Sequence, residues 1–298
     1  MAAPQQATPQ QGTQDTQDTG KFRNTKDQYY TKAHVAKKCV ETILATVPEA
    51  TATATAYQWV EPSAGNGVFL KALPAAQRDR LAIDIEPKAD GIQRGNFLEW
   101  IPLTQKRRIF FGNPPFGRQG SLAKAFIKHA ASQGQAEIIA FILPRSFVKP
   151  SMSRAFPPSF HCTHTEELEK NAFEVNKEEY DVPCVFQIWV KRQTDRPAAA
   201  PSQPIGFSFV KYDQPFDIAF KRVGGLAGKC YPFTQPHEYN KQCFYFLKLD
   251  AEQTNQTQNI KNIIDRMNQH VFPSNTVGPR SLSKGEMTEV LNEIITSL

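Results

Sequence analysis

The sequence predicts an α/β fold: an open, doubly wound, Rossmann-like sheet, followed by a small α+β appendage. Three segments carry that expectation. Residues 57–70 read as a strand, a tight Gly-containing turn and a helix starting near Val68. Residues 80–87 read as a second strand with Asp84 and Glu86 at its tip. The apolar run Ile109-Phe110-Phe111 ends in Asn113-Pro114-Pro115-Phe116. In open α/β sheets the C-terminal edge of the strands is where ligands bind.

Taken in order, residues 1–20 are Gln, Thr, Pro and Ala with almost no apolar bulk, the composition of a disordered tail. Tyr29-Tyr30-Thr31 then precedes an amphipathic stretch made by Val35, Ala36, Cys39, Val40, Ile43 and Leu44. In the turn Glu61-Pro62-Ser63-Ala64-Gly65-Asn66-Gly67, the glycines let the backbone approach a ligand, and the helix N-terminus points toward it. The turn is not a G-x-G-x-x-G fingerprint, and no G-x-x-x-x-G-K-[ST] occurs, which argues against NAD and ATP phosphates. Glu61 ahead of the turn would repel phosphate and suits a cation such as a sulfonium. Asp84 or Glu86 can accept both hydroxyls of a ribose. In Gly95-Asn96-Phe97-Leu98, Asn96 can bond an adenine edge and Phe97 can cover its face.

The residue types at 113–116 point to chemistry on a planar amine. The lone pair of an exocyclic amine is delocalised into its ring, so the nitrogen is a poor nucleophile. The Asn113 side-chain carbonyl and the Pro114 backbone carbonyl can both accept hydrogen bonds from an NH2. They would hold the lone pair out of the ring plane and stabilise the positive charge that grows on nitrogen. The prolines fix φ and hold those carbonyls in place, and Phe116 offers a face for stacking.

Further on, residues 122–130 read as an amphipathic helix and 138–144 as a buried strand. Arg145 and Ser146 follow at that strand's tip, suited to a phosphate contact or, for Ser146, to helix capping. A strand at 183–190 is expected to pair antiparallel with one at 160–165, with Phe173 in a polar, acidic loop between them. Residues 193–205 have linker composition. Strands at 207–210, 216–222 and 244–249 and helices at 258–269 and 284–296 make up a small C-terminal unit, 206–298. Its glycine-rich turn, Lys221 to Lys229, suits phosphates, though a plain hairpin loop would read the same.

With 298 residues, the chain has room for one large domain and a smaller one. Its net charge of +6 is concentrated in the first half. Lys106, Arg107, Arg108, Arg118 and Lys124 flank the 113–116 loop, the footprint of a nucleic-acid partner. No apolar run approaches the roughly 20 residues of a membrane span, and no basic-then-apolar leader is evident. Five cysteines without a C-x-x-C suit a reducing, intracellular setting, cytoplasmic or nuclear. No metal is expected. His161 and Cys162 face opposite ways on a strand, and Cys230, His237 and Cys243 lack a fourth ligand at zinc spacing.

The order Glu-Pro-Ser-Ala-Gly-Asn-Gly, Ile-Asp-Ile-Glu, Gly-Asn-Phe-Leu, Asn-Pro-Pro-Phe resembles the class I S-adenosylmethionine-dependent amino-methyltransferases. It looks most like the N6-adenine branch of gamma-type DNA methyltransferases, over residues 21–192. The resemblance implies S-adenosyl-L-methionine as cofactor, bound by Tyr30, Thr31, Glu61, Pro62, Ser63, Ala64, Gly65, Gly67, Asp84, Ile85, Asn96 and Phe97. The 27–31 element is similar to a Phe-Tyr-Thr-Pro segment that closes over the donor, with Lys32 in place of the proline. Catalysis falls to Asn113, Pro114, Pro115 and Phe116, and substrate contacts to Phe173, stacked on a flipped base, with Arg118 and Arg145. The resemblance also implies an antiparallel pair closing the sheet and a target-recognition role for 206–298. It favours DNA over RNA. A protein glutamine, which also presents a planar NH2, and a catalytically silent nucleic-acid-binding subunit are the other readings.

Overall fold

The computed structural model describes residues 29–50, 56–175, 178–197, 202–233, 239–251, 257–273 and 279–298. The tail expected at 1–20, residues 27 and 28, linker residues 198–201 and His237 lie outside the described residues.

The chain opens with β1 (Tyr30–Thr31) and α1 (Ala33–Thr46), then β2 (Gln58–Glu61), α2 (Val68–Ala72), β3 (Arg80–Asp84) and β4 (Gln93–Arg94). It continues through β5 (Arg108–Gly112), α3 (Ser121–Ser132), β6 (Ala136–Pro144), β7 (Phe160–Glu167), β8 (Phe173–Val175), β9 (Glu178–Tyr180) and β10 (Cys184–Lys191). Seven strands form one sheet in the order β4-β3-β2-β5-β6-β10-β7. The pairs from β4 to β6 are parallel, and β10 runs antiparallel to both β6 and β7. This is the Rossmann-like class I arrangement with an antiparallel closing pair that the sequence predicts. The order reverses at β2, whose neighbours β3 and β5 follow it in the chain on opposite sides. A crevice opens at such a switch point.

Helices cover both faces, so the central strands are buried on both and read as near-continuous apolar runs. In β5 the side chains alternate between the two layers. Ile109 and Phe111 join Val35, Cys39, Val40 and Ile43 of α1 in one cluster, while Phe110 joins Ala123, Phe126 and Ile127 of α3 in the other. The α1 residues that pack here recur at helical spacing, which makes this stretch a helix rather than a strand.

Residues 171–174 depart from expectation. Phe173 is not in a loop but opens β8, which pairs antiparallel with β1 (Thr31 opposite Phe173) and with β9. Three-residue strands among Glu174, Glu178 and Glu179 carry no readable periodicity.

The C-terminal unit holds β11 (Phe207–Val210), β12 (Ile218–Lys221), β13 (Cys230–Pro232), β14 (Phe244–Leu249), α4 (Thr257–Gln269) and α5 (Lys284–Thr296). Its four strands run in the order β11-β14-β12-β13, all antiparallel. Phe220 and Leu247 from the sheet pack against Ile263, Met267, Met287 and Leu291 from the helices. The start of the stretch read as a linker is fastened down. Arg196 donates to the carbonyls of Ser153 (2.7 Å), Phe156 (2.9 Å), Pro157 (3.0 Å) and Phe160, and lies 5.0 Å over Trp189.

A second fastening crosses to the C-terminal unit. Lys149, buried, donates to the Ser281 carbonyl at 2.8 Å and pairs with Glu286 at 3.1 Å. Glu286 also closes the capping box of α5 with Ser283. Burial alone would raise its pKa, but the Ser283 hydrogen bonds and Lys149 outweigh burial and hold it below the usual carboxylate value. A depressed folded pKa contributes stability above the unfolded value that is lost as pH falls through the folded one. Lys149→Met is expected to lower unfolding free energy by about 2 kcal/mol at neutral pH. The gap to wild type should shrink on acidification. Urea unfolding across pH checks both.

Candidate active site

The loops that leave β2, β3 and β5 at the switch point line a cavity of about 920 Å³, within the range of small-molecule sites. Of the residues assigned from sequence, Tyr30, Thr31, Glu61 to Gly65, Asp84, Ile85, Asn96, Phe97 and Asn113 to Phe116 all line it. Gly67, Phe173, Arg118 and Arg145 do not.

Asp84 organises the wall of the cavity formed by the loops after β2 and β3. One carboxylate oxygen accepts from the Gly65 N–H and the other from the Glu86 N–H, each at 2.7 Å. These bonds fix the turn after β2 against the tip of β3, and each oxygen keeps a lone pair for a ligand. The neighbouring Ile85 is 70% exposed, an uncovered apolar side chain at the cavity wall. Glu86, the other carboxylate considered for a ribose, bonds Lys88 at 2.7 Å. Asn96 is held at both ends of its amide, by Glu99 (2.8 Å) and by the Leu98 N–H (3.1 Å). Its side chain therefore caps the next turn. Phe97 borders the cavity from within the α3-side core.

Glu61 is buried, with its carboxylate accepting from the Leu70 N–H at 3.0 Å. Burial pushes its pKa well above the usual carboxylate value, the Leu70 bond opposes that rise, and Asp84 adds to it. A cation bound in the cavity would draw the proton off.

The wall formed by the loop after β5 centres on Asn113. Its Nδ2 donates to the Tyr29 backbone carbonyl and to Thr31 Oγ1, each at 3.3 Å, and its backbone carbonyl accepts from Ser63 Oγ at 3.1 Å. A backbone carbonyl can only accept, so the Tyr29 contact fixes which end of the side-chain amide is nitrogen. The other end, Oδ1, is buried without a hydrogen-bond partner. An orphaned buried acceptor costs about 1–3 kcal/mol.

Two short elements thus meet at β1. Tyr30 approaches the donor loop, where a side chain at Gly65 (φ 51°) would come within 3.2 Å of its ring. Tyr29 and Thr31 hold the acceptor loop. Tyr29 also stacks on Tyr180 at 5.2 Å and lies 6.4 Å from Phe116. The role of Tyr29 and the orienting role of Thr31 were not readable from sequence, because their contacts to Asn113 span 84 and 82 residues.

Phe173 needs correction. Its ring is fully buried beneath β1, 6.4 Å from Tyr29, so it is a core residue and not a stacking surface in the cavity. Phe116 and Tyr29 are the aromatic rings on the acceptor wall. Arg145 is engaged by Glu167 through contacts of 2.5–3.1 Å, and Arg118 is exposed in the turn after Phe116.

No family model matches the sequence, and no curated protein matches it. Solved structures similar in fold include the 23S rRNA methyltransferase ErmE, at 15% identity over 56% of this chain and 71% of that one, with a TM-score of 0.41. A putative RNA methyltransferase, PH1948 from Pyrococcus horikoshii, is 16% identical over 56% of this chain and 87% of that one, TM-score 0.40. The M protein of the type I restriction enzyme EcoKI is 15% identical over 56% of this chain and 45% of that one, TM-score 0.40. Likenesses this distant carry no argument for activity, and the functional reading rests on the site.

The Glu61 environment gives a test. A raised folded pKa contributes stability that is present in full below the unfolded carboxylate value and is lost as pH rises through the folded one. Glu61→Gln keeps the acceptor for Leu70 and removes the titration. Without ligand, wild type is expected to lose stability relative to the variant as pH rises from about 4 to 8. The variant is expected to bind a sulfonium ligand at least about tenfold more weakly. Thermal melts across pH and calorimetry check the two halves.

Proposed function

We propose that this chain transfers a methyl group from S-adenosyl-L-methionine to the N6 amine of adenine in nucleic acid, with DNA favoured over RNA. The observation that carries this reading is the Asn113 Oδ1, a buried acceptor without a partner on a residue that lines the cavity. It has the chemistry that an exocyclic NH2 requires. Two carboxylates that also line the cavity, Glu61 and Asp84, fit the cationic and ribose parts of the donor.

S-adenosyl-L-methionine supplies, when bound, an electrophilic methyl on a sulfonium. Asp84 accepts ribose hydroxyls with the lone pairs that Gly65 and Glu86 leave. Glu61 ionises against the positive charge of the donor, and Ile85 covers an adenine face. On the acceptor side, Asn113 Oδ1 and the Pro114 carbonyl take the two N6 hydrogens, so the nitrogen lone pair turns out of the ring plane toward the donor. The same carbonyls stabilise the charge that develops on nitrogen. The proton leaves a nitrogen that is already cationic, so no dedicated base is required. A target base must leave its stack to reach Asn113, and the rings of Phe116 and Tyr29 are placed to receive it.

The deciding experiment is transfer of labelled methyl from S-adenosylmethionine to matched pools of double-stranded DNA, single-stranded DNA and RNA, followed by nucleoside analysis. N6-methyladenine in a DNA pool is the expected product. Label in RNA alone would overturn the preference for DNA, and label only on added protein would overturn the substrate class. Asn113→Ala is expected to lower turnover by about a hundredfold or more with donor affinity nearly unchanged. Thr31→Val removes one of the two acceptors that orient the Asn113 amide, and turnover is expected to fall about tenfold or more at saturating substrate. Thr31→Ser should restore most of that loss. Equal turnover for the Val and Ser variants would mean the hydroxyl does not orient Asn113.

A further inference from the structure

Beyond the cavity, Arg222 and Arg280 lie on either side of an isolated antiparallel bridge between Val223 and Ser281. The Leu282 N–H donates to the Arg222 carbonyl (2.8 Å) and the Gly224 N–H to the Arg280 carbonyl (2.9 Å). That register puts Arg222, Gly224, Arg280 and Leu282 on one face, because side chains alternate along paired strands. Gly224 (φ 103°) leaves that face open, since a side chain there would meet nothing within 4 Å. The two arginines therefore share a face with Gly224, beside the buried Leu282.

Both guanidiniums have donors to spare. Arg222 donates from Nη1 to the Gln242 carbonyl at 3.3 Å, and Arg280 from Nη2 to the Phe272 carbonyl. The Nε of each is buried without an acceptor. Among the described residues, Arg222, Arg280 and Lys284 form no ion pair. Lys284, exposed, adds a third cation: its Nζ lies 5.9 Å from the Tyr245 ring, and the Arg222 guanidinium lies 5.1 Å from the same ring.

The location of this group matters as much as its charge. Ser281, the residue between Arg280 and Leu282, is the one whose carbonyl takes the Lys149 hydrogen bond. Lys149 directly follows the turn Arg145–Val148 that leaves the C-terminal tip of β6. The arginine pair is thus anchored at the edge of the large sheet where the cavity opens. Guanidinium forks match phosphate oxygens, and a polyanion engaged at that edge would find them beside its path.

We propose that Arg222, Arg280 and Lys284 form a phosphate-binding patch that holds the backbone of a nucleic-acid substrate while one base occupies the cavity. The inference rests on the nucleic-acid reading above. It assigns the C-terminal unit a share of binding affinity and no share of the chemistry.

The test measures binding of a fluorescein-labelled, mixed-sequence duplex DNA and of an RNA of the same sequence to the full chain by anisotropy, across a salt series. Arg222→Gln with Arg280→Gln is expected to weaken binding about tenfold or more and to flatten the dependence of log Kd on log salt by about two. S-adenosylmethionine affinity, read by calorimetry, should not change. Lys284→Gln, an exposed substitution outside the turn, should reduce the slope by about one, whereas Arg222→Lys with Arg280→Lys should keep most of it. Wild type and the glutamine variants binding alike, with equal slopes, would overturn the patch alone. Wild type that binds the donor but neither probe would overturn the nucleic-acid reading itself.

Discussion

The geometry of the site follows from one topological constraint, the reversal of strand order at β2. Because β3 and β5 lie on opposite sides of β2 and all three are parallel, the loops leaving them diverge and cannot pack on one another. The gap must be filled by a ligand or lined by polar groups, and here the chain lines it. Asp84 ties the β2 loop to the tip of β3 through two N–H groups, while Ser63 and β1 tie the β5 loop on the other side. Those ties hold the walls at fixed spacing without a ligand, so binding costs little ordering of the protein.

The large sheet was legible because strands buried on both faces announce themselves as apolar runs, and β5 and β6 are buried along nearly all of their length. The loops that line the cavity were expected for a different reason: each follows a strand and carries residue types suited to a ligand. Phe173 failed because its environment is non-local. Nothing near it in sequence indicates that β1, more than a hundred positions earlier, pairs with it and buries its ring. Asn96 lines the cavity and carries two readings. Its residue type suits both a base contact and a cap, and the nearby Leu98 N–H and Glu99 carboxylate were the closer partners.

Electrostatics at the donor wall runs against folding and toward binding. An ionised carboxylate at the position of Glu61 is costly without a counter-charge, and the protein answers by raising the pKa rather than by supplying a lysine. A permanent salt bridge there would have stabilised the empty fold and competed with a cationic ligand. Leaving the carboxyl with only the Leu70 N–H keeps its charge available for the cation. Similar logic applies to Asn113, whose Nδ2 is saturated while Oδ1 is left open.

The strand β1 touches both the loop after β2 and the loop after β5. Tyr30 leans on the donor loop at Gly65, and the flanking residues Tyr29 and Thr31 orient Asn113. A displacement of β1 would therefore release the Asn113 amide to rotate. Such coupling needs no distant relay, because one two-residue strand makes both contacts.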